Sequence, residues 1–322
     1  MRESLAHGVW GVVATPFQGS TLDVDSDSLA GLVRYYESIG AAGLTVLGVF
    51  GEAAGLTPAE RTRVLEVAVE ETGLPLVAGV TSLYTGTAIE EIRAAQATAG
   101  ERLAAVMVQA NSANPAVVVA HLHAIHQATG AKVVLQDYPL ASGVGISIES
   151  LISVVQACRF VIAVKAEAPP TSVAIARLAE ALEVSVFGGL GGQGLLDELV
   201  AGAAGAMTGF SYPEALIATV RAWQTDGFEA ARDALLPYLP LINFEQQVRI
   251  ALPVRKECLR QRGLIADAGV RAPGAAFPEV LRPSMLKHLA AAAAALEARP
   301  PAPATVPTTA PVPAALTTVG GY

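Results

Sequence analysis

The sequence predicts a closed (β/α)₈ barrel followed by a small helical extension. Two patterns carry this prediction: eight short apolar runs, and helical segments that separate them. The length of 322 residues agrees, because such barrels use about 250 residues as one unit. A doubly wound open sheet would place a GxGxxG turn after its first strand, whereas residues 14–17 read Ala-Thr-Pro-Phe.

The eight apolar runs are each too short for a helix and end at glycine, proline or a charged turn. Their hydrophobicity is continuous rather than alternating, as is typical of parallel strands covered on both faces. The predicted strands are residues 8–15, 44–48, 75–80, 103–108, 132–136, 160–165, 184–188 and 205–209.

The segments between the runs carry helix-start signals. Thr57 and Glu60 have the spacing of a capping box, and Pro58 stands at the first helical position. Asn114 and Pro115 repeat the cap followed by proline. These signals predict helices that begin near residues 58 and 115.

We assign residues 1–225 to the barrel. Residues 226–297 continue in a helical pattern too long for one barrel helix, which predicts a helical extension packed on the barrel. Residues 298–322 are rich in proline, alanine and threonine, and we expect a disordered tail there.

Composition excludes several classes of protein. A net charge of −8 without any basic run argues against a nucleic-acid partner. The two cysteines, Cys158 and Cys258, lack a CxxC spacing, so we expect neither a disulfide framework nor a zinc site, and a reducing compartment fits. The N-terminal residues do not resemble a signal peptide, and no uninterrupted apolar stretch reaches about 18 residues. We therefore expect a cytoplasmic protein that does not bind membranes.

Lys165 is the strongest candidate for a reactive group. The other lysines, Lys132, Lys256 and Lys287, fit strand entry or an exposed helix, but Lys165 ends the apolar run 160–164. This places its amine at the C-terminal end of a barrel strand, where barrel enzymes hold their catalytic groups. Burial favours the neutral amine, which can attack a carbonyl and form an imine. The alternative is a lysine that extends to solvent or pairs with Glu167.

Three stretches of the chain resemble the dihydrodipicolinate synthase and N-acetylneuraminate lyase family of class I aldolases and hydro-lyases. The first is Gly48-Val49-Phe50-Gly51-Glu52, which is similar to the family's GxxGE signature. The second, residues 161–165, is similar to the strand that carries the imine lysine. The third runs from Leu252-Pro253-Val254-Arg255-Lys256 to residues 270–273. The resemblance implies a homo-oligomer, tetramer or dimer, that acts on a 2-oxo acid such as pyruvate without metal or organic cofactor.

The chain departs from this family at the loop that holds the substrate carboxylate. Relatives usually have hydroxyl side chains where this chain has Val49 and Phe50. The backbone N–H groups of Phe50 and Gly51 are then the expected donors to a carboxylate. Because a hydrogen bond to a charged group contributes roughly 1.5–3 kcal/mol, we expect weaker binding of pyruvate. The two apolar side chains favour a bulkier or less polar substrate.

The proton relay also differs from the family pattern. Residues 109–115 contain no tyrosine, and Gln136 occupies the usual tyrosine position after the fifth strand. Tyr138, two residues further on, faces the same side of an extended strand, so we predict that it is a displaced acid/base. The alternative is a packing tyrosine, with Gln136 or Asp137 in the site. No arginine lies between residues 139 and 145, where the lysine-pathway synthases bind their second substrate.

Other polar or glycine-rich positions have open interpretations. Glu167 shares the strand parity of Lys165 and is a general acid/base, a partner for the imine charge, or a loop carboxylate in water. In the glycine-rich loop 188–194, Gly189 and Leu190 line the pocket, or the loop binds phosphate or forms a tight turn. The three histidines between residues 121 and 126 lack the i, i+4 spacing of a metal pair, and we expect a solvated helix face.

These observations predict a lyase that forms an imine at Lys165 and makes or breaks a C–C bond in pyruvate or a larger 2-oxo acid. Genuine dihydrodipicolinate synthase activity is not expected. Two alternatives stay open. One is a hydro-lyase on a 2-oxo deoxy sugar acid, and the other is a barrel that has lost catalysis and only binds a small molecule.

Overall fold

Eight parallel strands close into a barrel, which confirms the predicted fold class. The computed structural model describes residues 2–298. The barrel strands are β1 Gly8–Val12, β4 Gly43–Val46, β5 Leu76–Gly79, β6 Leu103–Gln109, β7 Val133–Asp137, β8 Val161–Ala166, β9 Ser185–Gly188 and β10 Gly205–Thr208. Going around the barrel, their order is β1-β10-β9-β8-β7-β6-β5-β4, with β4 pairing back to β1.

Each barrel strand overlaps its predicted run, and β1 ends at Val12 rather than at residue 15. The sequence patterns did not indicate the short antiparallel hairpin of β2 Phe17–Gln18 and β3 Asp23–Val24. These strands have two residues each, too few for any periodicity to appear.

Helices cover the outside of the barrel and continue beyond it. Around the barrel lie α1 Ser26–Ser38, α2 Pro58–Glu71, α3 Thr85–Ala99, α4 Pro115–Thr129, α5 Pro139–Ser142, α6 Ile148–Ala157, α7 Thr171–Ala181, α8 Leu195–Val200 and α9 Pro213–Asp226. The predicted helix starts are confirmed at α2 and α4. Thr57 and Glu60 form both hydrogen bonds of the capping box, and Asn114 Oδ1 accepts from the Ala116 N–H.

A helical extension follows α9, as predicted. It consists of α10 Phe228–Leu235, α11 Leu239–Glu245, α12 Ala251–Gln261 and α13 Arg282–Glu297. The predicted tail, residues 298–322, lies outside the described residues except for residue 298. The division between barrel and extension at residue 225 stays a prediction.

The barrel interior is filled by apolar side chains from alternating strand positions. Trp10, Met107, Val134, Phe187 and Met207 belong to this interior cluster, and Phe50 packs against it from a loop at the C-terminal end of the strands. The packed interior leaves the C-terminal ends as the place where polar side chains gather. No helix within residues 2–298 combines the length and apolarity that a membrane span requires.

Candidate active site

Lys165 lies inside the barrel near the C-terminal end of β8. In the strand register it pairs with Gln136 of β7 and Phe187 of β9. The residue is only 5% exposed, so its side chain does not extend to solvent. Its Nζ lies 3.1 Å from Oε2 of Glu167. The ion pair that the sequence left open is therefore present, and it places a proton acceptor beside the amine.

Glu167 is held by two neighbouring segments, β7 and the loop after β9. Gln136 Nε2 donates to its Oε2 at 2.7 Å, and the Leu190 N–H approaches its Oε1 at 3.5 Å. Gly189 leaves the space that the carboxylate occupies, because a Cβ at this position would lie 2.3 Å from Oε1. Glu167 is 5% exposed, so the interpretation as a loop carboxylate in water is wrong.

Two further titratable groups border this carboxylate. Asp137 is buried, and its Oδ1 has no hydrogen-bond partner among the residues that the structure describes. Burial, with a smaller effect of Glu167, raises the pKa of Asp137 to about 6. Tyr138 is partly buried; burial and Glu167 raise its pKa, whereas Arg255 opposes that shift. Asp137 is the last residue of β7, and Tyr138 directly follows it before α5 begins.

The loop after β4 has an apolar surface. Val49 is 50% exposed, and the ring of Phe50 packs so closely on Gly209 that a Cβ there would lie 2.4 Å from it. The Gly51 N–H already donates to the Gly48 carbonyl at 3.0 Å, and the Gly51 carbonyl accepts from Thr15 Oγ1. Of the two predicted backbone donors, the Gly51 N–H is thus used within the loop, whereas the Phe50 N–H has no backbone partner among residues 2–298.

The glycine-rich loop after β9 is a tight turn. Gly191 adopts a left-handed φ of 68°, and its N–H donates to Thr208 Oγ1 at 2.8 Å. This internal bond takes one of the amides that a phosphate would need. Gly189 and Leu190, in contrast, border Glu167 directly, so the loop shapes the surroundings of Lys165.

Arg255 is a polar residue at this end of the barrel that the sequence did not indicate as a site residue. It comes from α12, and its guanidinium lies 4.9 Å from the centre of the Phe50 ring. Its Nε donates to Glu245 Oε2 at 3.2 Å. Seven consecutive residues of α12, from Pro253 to Leu259, are buried, so this helix shows no amphipathic pattern from which the inward direction of Arg255 follows.

The expectation for Lys256 was wrong. Lys256 is 0% exposed rather than on an exposed helix face. Its Nζ donates to Glu52 Oε1 at 2.8 Å and to the Gly269 carbonyl at 2.5 Å, and it lies 4.3 Å from the centre of the Phe17 ring. Glu52 also accepts from the Arg271 N–H at 3.0 Å. This cluster joins the loop after β4 to the helical extension.

The solvated helix face expected for the three histidines is also wrong. His121 is buried and its Nδ1 hydrogen-bonds Thr85 Oγ1 at 2.9 Å, while His126 stacks on Phe160 with ring centres 4.1 Å apart. His123 contacts Phe160 edge-on. The three side chains serve in packing between α4 and its neighbours.

Comparisons with known proteins agree with this architecture. A family model described as "Dihydrodipicolinate synthetase family" matches residues 5–292. The 4-hydroxy-tetrahydrodipicolinate synthase of Kineococcus radiotolerans is 30% identical over 306 residues, which is 92% of this chain and 94% of that protein. The L-2-keto-3-deoxyarabonate dehydratase of Azospirillum brasilense is 28% identical over 301 residues, 90% of this chain and 94% of that protein.

Some alignments are shorter. The chain spans 50% of the length of the 4-hydroxy-tetrahydrodipicolinate synthase of Methylobacterium radiotolerans, at 29% identity over 153 residues.

The crystal structure of dihydrodipicolinate synthase from Rhodopseudomonas palustris superposes with a TM-score of 0.83 at 27% identity, covering 90% of this chain and 99% of that one. Lyases and dehydratases make up this family, which supports an enzymatic role. The chain belongs to the dihydrodipicolinate synthetase family.

Proposed function

We propose that this protein is a lyase that forms an imine between Lys165 and the carbonyl carbon of pyruvate or a larger 2-oxo acid. The observation that carries the proposal is the buried amine of Lys165 at the C-terminal end of β8, 3.1 Å from a carboxylate that can take up its proton. A neutral amine is a nucleophile toward carbonyls, and the iminium that results withdraws electrons from the adjacent carbon. No metal or organic cofactor is needed for this chemistry.

The neighbouring residues are assigned to positions around the imine. Tyr138 exchanges a proton with the fragment that leaves or enters; it is partly buried and directly follows the C-terminal end of β7, the strand next to the one that carries Lys165. The loop with Val49, Phe50 and Gly51 receives the head of the substrate, with the Phe50 N–H as the donor. Gln136, Glu167, Gly189 and Leu190 form the wall on the side of Lys165.

The apolar loop favours a bulkier or less polar substrate than a sugar acid. The absence of an arginine between residues 139 and 145 argues against the reaction of the lysine-pathway synthases. A C–C bond would break when electrons move into the iminium, which gives an enamine on Lys165 and a carbonyl fragment. The enamine then takes up a proton, and water releases the 2-oxo acid.

A hydro-lyase acting on a 2-oxo deoxy sugar acid is the second candidate. The observation in its favour is the alignment with the Azospirillum dehydratase, which extends over 94% of that protein. Both reactions begin with the same imine and differ in the bond that breaks next. Product analysis separates them, because an aldolase releases two carbon fragments whereas a hydro-lyase loses only water.

Reductive trapping tests the imine itself. The protein is incubated with pyruvate and a panel of longer 2-oxo acids, reduced with borohydride, and digested for mass spectrometry. We expect one adduct, on the peptide that contains Lys165, and none in Lys165→Ala. Lys287→Ala is the matched control because Lys287 is exposed on α13, away from the barrel strands. A substrate panel that leaves Lys165 unmodified would contradict the proposal and favour a barrel that only binds.

We also propose that the protein acts in the cytoplasm as a homo-oligomer. Cys158 and Cys258 are both free and buried, which fits a reducing compartment. The oligomer, a tetramer or dimer, rests on the family resemblance, and light scattering measures it directly.

A further inference from the structure

We infer that Glu167 is the proton carrier for imine formation at Lys165, the acid and base that lets the amine condense with its carbonyl substrate. The inference rests on the proposed imine and assigns a catalytic role to a carboxylate that touches the reacting nitrogen.

The carboxylate of Glu167 is fixed on the side of the amine. Its Oε2 lies 3.1 Å from Lys165 Nζ and accepts from Gln136 Nε2 at 2.7 Å. The Gln136 side chain is itself buried, so this hydrogen bond is protected from water. Gly189 provides the space for the other oxygen, because any larger residue there would place an atom 2.3 Å from Oε1.

Imine formation needs a group that takes protons from nitrogen and delivers them to oxygen. Glu167 first removes one ammonium proton, and the freed electron pair of Nζ bonds to the carbonyl carbon. Glu167 delivers that proton to the carbonyl oxygen, which becomes a hydroxyl. It then takes a second N–H proton and passes it to this hydroxyl, so that the C–O bond breaks and water leaves. Of the three ammonium hydrogens, one stays on the iminium nitrogen and two leave in the water.

The carboxylate also suits the product of this sequence. After water leaves, Glu167 is again ionised and lies beside the positive iminium nitrogen, which it stabilises in a site of low dielectric. Gln136 cannot replace it, because an amide donates a hydrogen bond but does not exchange protons near neutral pH. Among residues 2–298, Glu167 is the ion-pair partner of Lys165 Nζ, and neither the Asp137 nor the Tyr138 side chain forms a hydrogen bond or ion pair with that nitrogen.

Glu198 offers a matched control for the loss of a buried carboxyl. It is 1% exposed and accepts from Thr171 Oγ1 at 2.7 Å. Its side chain lies against Gly188, which faces the opposite side of β9 from Phe187 and Gly189. Glu198 has no lysine partner among the described residues. A Glu198→Gln variant therefore removes a buried carboxyl near β9 without touching the amine.

The test follows the rate of the borohydride-trapped adduct with pyruvate from pH 5 to pH 9. In Glu167→Gln we expect the rate to fall by roughly 10²–10⁴-fold and its pH profile to flatten, whereas Glu198→Gln stays within about twofold of the natural protein. Glu167→Ala leaves space beside Lys165, and added formate is expected to restore part of its rate. Rescue by a small acid is not expected if Glu167 serves only in packing.

The outcomes separate this inference from the proposed function. No adduct with any carbonyl compound in the natural protein would overturn the proposed function and this inference with it. An adduct that forms in Glu167→Gln at the natural rate, with the same pH profile, would overturn this inference alone. A folded Glu167→Ala variant that is slow but gains nothing from formate would also count against it.

Discussion

The chain contains two buried lysines, each paired with a glutamate. The two sites differ in how many further groups contact the lysine nitrogen. Lys256 is enclosed by the Glu52 carboxylate, the Gly269 carbonyl and the face of Phe17. Lys165, within residues 2–298, has one ion-pair partner, Glu167, and lies near the C-terminal end of β8. Burial alone does not distinguish a structural lysine from a reactive one.

The difference lies in how the ammonium hydrogens are used. Burial lowers the pKa of Lys256 and Glu52 opposes that shift, and the fixed carbonyl and aromatic face also favour the charged form. A lysine held in this way connects the loop after β4 to the helical extension. In the described part of the chain, the Lys165 nitrogen contacts neither a carbonyl acceptor nor an aromatic face, which is the arrangement that the proposed imine requires.

The largest expected effect is a loss of catalytic activity when Lys165, but not Lys256, is replaced. Lys165→Ala is expected to lower turnover by roughly 10³-fold or more, because the nucleophile is gone. Turnover of a substrate identified by the trapping panel measures it, and circular dichroism verifies the fold. Turnover of Lys165→Ala equal to that of the natural protein would contradict the assignment of Lys165 as the reactive lysine.

The second prediction separates the lysines by stability. Lys256→Met is expected to reduce the free energy of unfolding by about 3–5 kcal/mol, because it leaves the buried Glu52 carboxylate and the Gly269 carbonyl without their cation. Urea denaturation measures the loss. The double variant Lys256→Met/Glu52→Gln is the control and should recover part of it. An unchanged denaturation midpoint would show that the cluster does not stabilise the fold.

The third prediction concerns the free energy of unfolding that is lost by burying the Glu198 carboxyl, which has no cation partner among the described residues. Burial raises the pKa of Glu198 from 4.5 to about 7. The folded state therefore resists ionisation, and this penalty is absent below pH 4.5, grows as the pH rises and is complete above pH 7. Glu198→Gln is expected to be more stable than the natural protein by roughly 2–4 kcal/mol at pH 8, with the advantage vanishing near pH 4.5. Urea denaturation at the two pH values measures this, and a pH-independent difference would contradict it.

The smallest effect concerns the substrate loop beside Lys165. Val49→Thr adds a hydroxyl where family members usually have one, at a half-exposed position with little packing to lose. We expect pyruvate to bind more tightly by about 1 kcal/mol, or roughly fivefold in Kd. Val49→Ala, which removes bulk without adding a donor, should not show this gain. Equal affinities for the two variants would indicate that the substrate carboxylate lies elsewhere.

Much of the fold was predictable because its signals are local. Strand length, continuous hydrophobicity and the caps at Thr57 and Asn114 all act within a few residues, and each was confirmed. The β2–β3 hairpin was missed because two-residue strands carry no pattern. The burial of His121 was missed because the spacing of the histidines shows which positions share a helix face but not what packs against that face.

The sequence by itself determined the barrel, the family and the position of Lys165 at the C-terminal end of a barrel strand. These features depend on periodicity and short motifs. Only the tertiary structure decided which charges meet. Glu167 is held by Gln136, 31 residues away, and Lys256 meets Glu52 across 204 residues. The physical reason is that a lysine's chemistry depends on its solvation and partners, which come from packing between distant segments rather than from neighbours along the chain.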